Sequence, residues 1–91
     1  MIAPYKDKAL ARLKKVTGQV NGLIKMIEQD KYCSDVIGQL LAAQGGLRQV
    51  MPLLLESHLH TCGAENLASR DAKKREKFIR EIVRACELSS R

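Results

Sequence analysis

A mostly apolar face recurs along the first part of the chain at alternating spacings of three and four: Leu10, Leu13, Thr17, Val20, Ile24 and Ile27. That period predicts an amphipathic helix from about Tyr5 to Gln29, entered through Pro4, a residue suited to a first helical turn. Its other face carries Lys6, Lys8, Arg12, Lys14, Lys15 and Lys25. Gly18 and Gly22 weaken the helix and permit a neighbour to approach closely, and Asp30-Lys31 marks a short break.

A second seam runs Ile37, Leu40, Gln44, Leu47, Met51, Leu54, His58 and Thr61 without losing phase, which predicts one long helix from about Cys33 to Thr61. Two features contest it. Gly45-Gly46 suits a turn, and Pro52 removes the hydrogen bond to the Arg48 carbonyl and is expected to kink the helix. A turn at the glycines resets the apolar register, and the register runs through them unbroken, so the continuous helix is the favoured reading. Gly63 suits a helix C-terminus, Ala64 to Ser69 reads as a connection, and Ser69 or Asp71 is available as an N-cap. A third helix follows from about Asp71 to Leu88, with Phe78, Ile79, Ile82, Val83 and Cys86 as its apolar stripe and Lys73, Lys74, Arg75, Lys77, Arg80 and Arg84 on its solvated face. The expected fold is all-α, three helices in a single domain spanning residues 1–91.

Composition narrows this picture. A chain of 91 residues with 45% hydrophobic but only 3% aromatic residues has an aliphatic, thin core, which association with further copies would enlarge. No apolar run is long enough for a membrane span and no leader pattern opens the chain, so the cytoplasm is the expected compartment. Three cysteines, none in a Cys-x-x-Cys pair, argue for reduced thiols rather than a disulfide framework. A formal charge of +6, concentrated on the first helix and before the last, suits a polyanionic partner. No Ser-His-Asp arrangement, phosphate-binding glycine loop or carboxylate pair supports an enzyme.

The candidate chemistry lies in Cys33, His58 and Cys62, spaced 25 and then 4 positions apart. His58 and Cys62 share a helix face about one turn apart and can grip a single ion. Cys33 lies roughly 37 Å away along a straight helix, so either the chain folds back or another subunit supplies it. Two thiolates and one imidazole form a soft, three-donor set that suits monovalent copper, whereas zinc normally takes a fourth ligand. The competing reading is two ordinary buried thiols and a surface histidine. His60 projects from a different face and is expected to be solvated. Cys86, in an apolar stripe, is expected in the core. The cationic face of the first helix suits DNA phosphates, although such faces are also commonly just solvated.

Three segments carry a family resemblance: Thr17-Gly18-Gln19-Val20-Asn21-Gly22, Tyr32-Cys33-Ser34-Asp35-Val36 and Ser57-His58-Leu59-His60-Thr61-Cys62. With them the chain closely resembles the copper-sensing CsoR family of bacterial repressors, which includes nickel or cobalt, formaldehyde and persulfide sensors. The resemblance implies a three-helix subunit, an antiparallel dimer with Cu(I) bridging the two chains, and a disc-like homotetramer of two such dimers. Cys33 of one chain would meet His58 and Cys62 of the other. Tyr32 and Glu81 would link these ligands to the third helix, and Arg12, Lys14, Lys15, Gln19 and Arg48 would contact double-stranded operator DNA.

The branch follows from individual residues. Nickel or cobalt sensing in the family relies on an additional N-terminal histidine, and Met1 to Tyr5 contains none; persulfide sensing dispenses with the histidine that His58 supplies; the formaldehyde branch lacks a thiol at Cys62. The expected function is therefore a copper(I)-responsive repressor that binds its operator without metal and leaves it on binding Cu(I), derepressing copper-resistance genes. The alternative is a thiol-based persulfide or oxidant sensor using Cys33 and Cys62.

Overall fold

The computed structural model describes residues 1–89. Helix α1 spans Ala3–Glu28, with Pro4 in its first turn. It ends where Asp30 takes a left-handed backbone (φ 52°). There the Lys31 N–H donates to the Met26 carbonyl (2.9 Å) and the Asp30 N–H to that of Ile27 (3.1 Å), so the reversal satisfies carbonyls that the helix leaves free.

The second helical arm is a chain of pieces. Helix α2 covers Cys33–Arg48 and α3 covers Val50–His58. A π-helical turn, Leu59–Gly63, and a short α4, Ala64–Ala68, complete the arm. Gly45 and Gly46 are helical, which excludes the hairpin alternative. The only break before His58 is the single residue Gln49, three positions ahead of Pro52, because a proline inside the first turn of α3 has no N–H to return to Arg48. The expected stop at Gly63 is corrected. The backbone stays right-handed helical through Gly63 and Ala64 and leaves the helix only at Ser69 (ψ 140°). Side chains stabilise this wide turn: Thr61 Oγ1 donates to the Ser57 carbonyl (2.8 Å) and Asn66 Nδ2 to that of Cys62 (2.6 Å).

Ser69, Arg70 and Asp71 are the true connection. Ser69 Oγ accepts the Asp71 N–H (3.1 Å), and Asp71 Oδ1 accepts the Lys73 N–H (2.9 Å), so Asp71 caps α5, Ala72–Ser89. Arg75 also donates to the Ser69 carbonyl.

Helix α1 lies antiparallel against α2 and α3. Contacts run in order from Ile2 against Ser57 and Tyr5 against His60, through Arg12 against Gln49, to Gln19 against Gln39. The shared inner face is made of small residues at seven-residue intervals: Ala9 and Val16 on one side, Ala43, Val50 and Ser57 on the other. Gly46 sits so close to α1 that an added Cβ would fall 2.9 Å from Val16 Cγ2.

The seams read from periodicity are not this inner face. Leu10, Val20, Ile24, Ile37, Leu40 and Leu47 are all exposed, between 41% and 56%. Each seam is rotated about a quarter-turn from its helix's inner face in the same sense, and in an antiparallel pair that brings both seams to one side of the hairpin. The molecule measures 59 × 28 × 14 Å, one helix thick, with a radius of gyration of 17.7 Å where a compact chain of this length has about 12 Å. A single layer cannot bury two faces. No helix among the described residues is long and apolar enough to cross a membrane.

Candidate functional site

His58 closes α3 and Cys62 lies in the π-helical turn that follows. Both line one cavity of about 450 Å³, shared with Met1, Met51, Leu54, Leu55, Ser57 and Thr61. The π-helical turn rotates less per residue than an α-helix, so it keeps a side chain four positions on near the same face. The floor is firm: Ser57 is 1% exposed and its Oγ accepts the Ile2 N–H (3.3 Å), tying the start of α1 beneath the site. The half-buried His58 imidazole lies 5.1 Å from the Phe78 ring, tilted by 37°. Cys62 is exposed, so a thiol and an imidazole face an open cavity of a size to admit an ion and further ligands.

Cys33 is at the other end of the arm, the first residue of α2, and exposed. Tyr32 beside it is 75% exposed. Among the described residues no three of His, Cys, Asp or Glu converge to hold a metal. One chain therefore presents two donors at one end and the third at the other, and the rod between them cannot fold back.

The remaining expectations divide. His60 turns away from His58 and stacks on Tyr5, with ring centroids 5.7 Å apart. The Tyr5 hydroxyl donates to Glu56, which raises its pKa above the ordinary 10.0. Cys86 is exposed, not buried: α5 turns Phe78 inward and leaves Cys86, Ile79 and Val83 on the surface of the single chain. Glu81 lines a groove on the outer face of α5 with Lys73, Glu76, Lys77, Arg80 and Arg84, and the α5 side chain against His58 is Phe78.

A second, polar cleft of about 230 Å³ opens midway along the hairpin. Arg12, Lys15 and Gln19 of α1 face Ala42, Gly45, Gly46 and Gln49 across it. The Arg12 guanidinium donates to Gln49 Oε1. Gln19 Oε1 is buried there against Gly46 and accepts no hydrogen bond. Lys14 is exposed outside the cleft. Arg48 lines a different groove with Gln44, Leu47, Met51, Pro52 and Leu55. Gln49 is thus the cleft residue of the second arm. Its place three residues after Gly46, which admits α1, is the signal that marks it.

An all-α hairpin with a soft two-donor end and a cationic cleft is the framework of a metal-responsive DNA-binding protein, and the comparisons agree. The family described as metal-sensitive transcriptional repressors matches residues 5–87, and the chain belongs to it. This is a family of transcriptional repressors, not of enzymes. Over 69 residues the chain is 41% identical to the copper-sensing transcriptional repressor CsoR of Bacillus subtilis (strain 168), covering 76% of this chain and 68% of that one. Over 57 residues it is 49% identical to the copper-sensing repressor RicR of Mycobacterium tuberculosis (strain H37Rv), covering 63% and 59%. The crystal structure of the copper-sensing repressor CsoR with Cu(I) from Geobacillus thermodenitrificans NG80-2 superposes with a TM-score of 0.80 at 33% identity, over 100% of this chain and 95% of that one. The resemblance drawn from the three sequence segments therefore holds.

Proposed function

We propose that the chain is a copper(I)-responsive repressor whose metal centre forms between two copies, with Cys33 of one chain completing the His58 and Cys62 pair of another. The observation that supports this most directly is the placement of the donors: two open on one cavity, and the third stands at the far end of a continuous helical arm. Antiparallel association of two hairpins through the face of Leu10, Leu13, Leu40, Leu47, Met51 and Leu54 brings opposite ends together and buries the apolar surface that one layer leaves bare. Further pairing of such dimers yields the tetramer. In such an assembly Tyr32 arrives with Cys33 at the centre, and Glu81, set on the outer face of α5, meets the ligands only through contacts made on assembly.

The residues fit the metal: two cysteines and a half-buried imidazole give sulfur-rich, low-coordination ligation. Bound there, Cu(I) supplies strong thiolate bonds and a preference for three ligands. On the protein's side, His58 and Cys62 already share one cavity, and Phe78 packs against the imidazole. The third donor, Cys33, is the one that only the relation between chains can bring.

Duplex operator DNA is the partner of the metal-free protein. Arg12 and Lys15 neutralise phosphates at the cleft, Lys14 and Arg48 add charge beside it, and the amides of Gln19 and Gln49 orient the contact. Metal favours an assembly in which these clefts no longer match the spacing of phosphates, and the operator is released, which derepresses copper-resistance genes. A 100-fold loss of operator affinity requires about 2.7 kcal/mol of differential binding. DNA titrations at fixed salt, with and without Cu(I), test the reading; equal affinities in the two states refute it.

The exposure of both Cys33 and Cys62 favours one other reading, an intersubunit thiol switch driven by oxidant or persulfide. His58→Ala separates the two. Copper sensing fails without the imidazole, and a thiol switch survives.

A further inference from the structure

Helix α5 is tied to the rest of the molecule at few points. It packs chiefly on the five-residue α4, and Phe78, 4% exposed, is its one buried side chain among the described residues. That ring is seated on the π-helical turn. A Cβ added to Gly63 would lie 3.1 Å from Phe78 Cζ, 3.4 Å from Cε1 and 3.4 Å from the His58 carbonyl oxygen, so the absence of a side chain at Gly63 is what admits the ring. From this seat Phe78 meets the His58 imidazole at 5.1 Å. One aromatic ring thus touches both the backbone carrying Cys62 and the side chain of the other donor.

From this geometry we infer that Phe78 is a positioning residue that couples the orientation of the His58 imidazole to the placement of α5, so that α5 responds to the state of the metal site. The inference rests on the copper-repressor reading. To present a ring nitrogen to a metal in the cavity shared with Cys62, the imidazole must hold one setting of its two torsions, and Phe78 packs against it directly. An aromatic pair prefers particular tilts and offsets, so a change at one ring is resisted or followed by the other. Phe78 follows by moving α5, whose packing among the described residues is chiefly on the short α4. The displaced helix carries Lys73, Lys74, Arg75, Lys77, Arg80 and Arg84, so its placement alters the electrostatic surface that meets a polyanion. Linkage makes the effect reciprocal: a fixed α5 holds His58 in turn.

The test uses the full-length protein and two substitutions. Phe78→Leu keeps apolar volume and removes the ring; Phe78→Tyr keeps the ring. Wild-type protein sets the ratio of operator affinities without and with Cu(I) at fixed salt. Phe78→Leu is expected to bind Cu(I) at the wild-type stoichiometry while that ratio falls at least about tenfold, and Phe78→Tyr to hold it within about threefold. A Phe78→Leu protein with the wild-type ratio overturns the inference, as does equal loss in both variants, which marks a merely structural role. NMR provides a readout independent of DNA: Cu(I) is expected to shift the amides of α5 in wild-type protein and leave them in place in Phe78→Leu. Equal α5 shifts in the two proteins overturn the relay. A wild-type protein with no copper response at the operator sinks the repressor reading instead, and the α5 shifts still decide the role of Phe78.

Discussion

The two faces of the α1–α2–α3 hairpin are built to opposite rules. Inside, Ala9, Val16, Ala43, Gly46, Val50 and Ser57 are small, and the backbones close to where a single added methyl at Gly46 meets Val16 at 2.9 Å. Outside, Leu10, Leu13, Val20, Ile24, Ile37, Leu40, Leu47 and Leu54 are large, branched and exposed. The inner face gains from close packing of short side chains, which bury little area but let the backbones approach. The outer face carries most of the hydrophobic area, which gives nothing until another surface covers it. The difference teaches that the single chain is a half-made core: the small face shapes the hairpin and the large face is left bare.

The sharpest way to break that contrast is a charge on the large face. Leu47→Glu, at a position 53% exposed in the single chain, changes stability by no more than about 0.5 kcal/mol if the face is free surface. The expected outcome is instead loss of association and several kcal/mol of stability, as for an unpaired charge forced into an apolar interface. Sedimentation velocity and thermal unfolding read both, and a variant that assembles and melts like wild type ends the argument for a covered face.

The small face is probed by neighbouring glycines. Gly46→Ala is expected to destabilise by about 1–2 kcal/mol, the overpacking against Val16 outweighing the gain in helix propensity, with partial rescue by Val16→Ala. Gly45→Ala has nothing within 4 Å of the new Cβ and is expected to gain up to about 1 kcal/mol. Urea unfolding of the pair decides whether close approach, rather than glycine as such, is required.

Smaller effects belong to the third arm and the hairpin's end. Asp71→Ala removes the Oδ1 acceptor of the Lys73 N–H and is expected to cost about 1 kcal/mol in thermal unfolding. Tyr5 has its pKa raised above 10.0 by its hydrogen bond to Glu56. The folded state therefore favours the protonated hydroxyl, and the small stabilisation is full below pH 10 and lost as pH rises through the higher folded value. Glu56→Gln is expected to return the tyrosinate absorbance transition toward the ordinary value; an unmoved transition rejects the contact.

Much of the site was legible in one dimension. The spacing of His58 and Cys62 is local, and a helix places such a pair whatever the tertiary fold does. The register through Gly45-Gly46 was sufficient to keep α2 helical, because periodicity over many turns outweighs two weak residues. Other features were not legible. Gly63 looked like a stop because a glycine's role in a helix depends on what packs over it, here the Phe78 ring from a distant part of the chain. Cys86 sits in an apolar stripe, yet a stripe says only that a face is apolar, and α5 turns the edge marked by Phe78 inward. Arg48 and Gln49 differ by 100° of helical rotation, and only the approach of α1 shows which of them lines the cleft.

The chain's own pattern determined the helices, the pairing of His58 with Cys62 and the separation of Cys33 from both, since each depends on periodicity and rise per residue, which are properties of backbone geometry. Tertiary structure decided which apolar face closes the hairpin, which polar residues share the cleft with Arg12, and that Phe78 rests against the imidazole. Those are contacts between residues far apart in sequence, and two faces of one helix with equal periodicity are told apart only by what arrives to cover them.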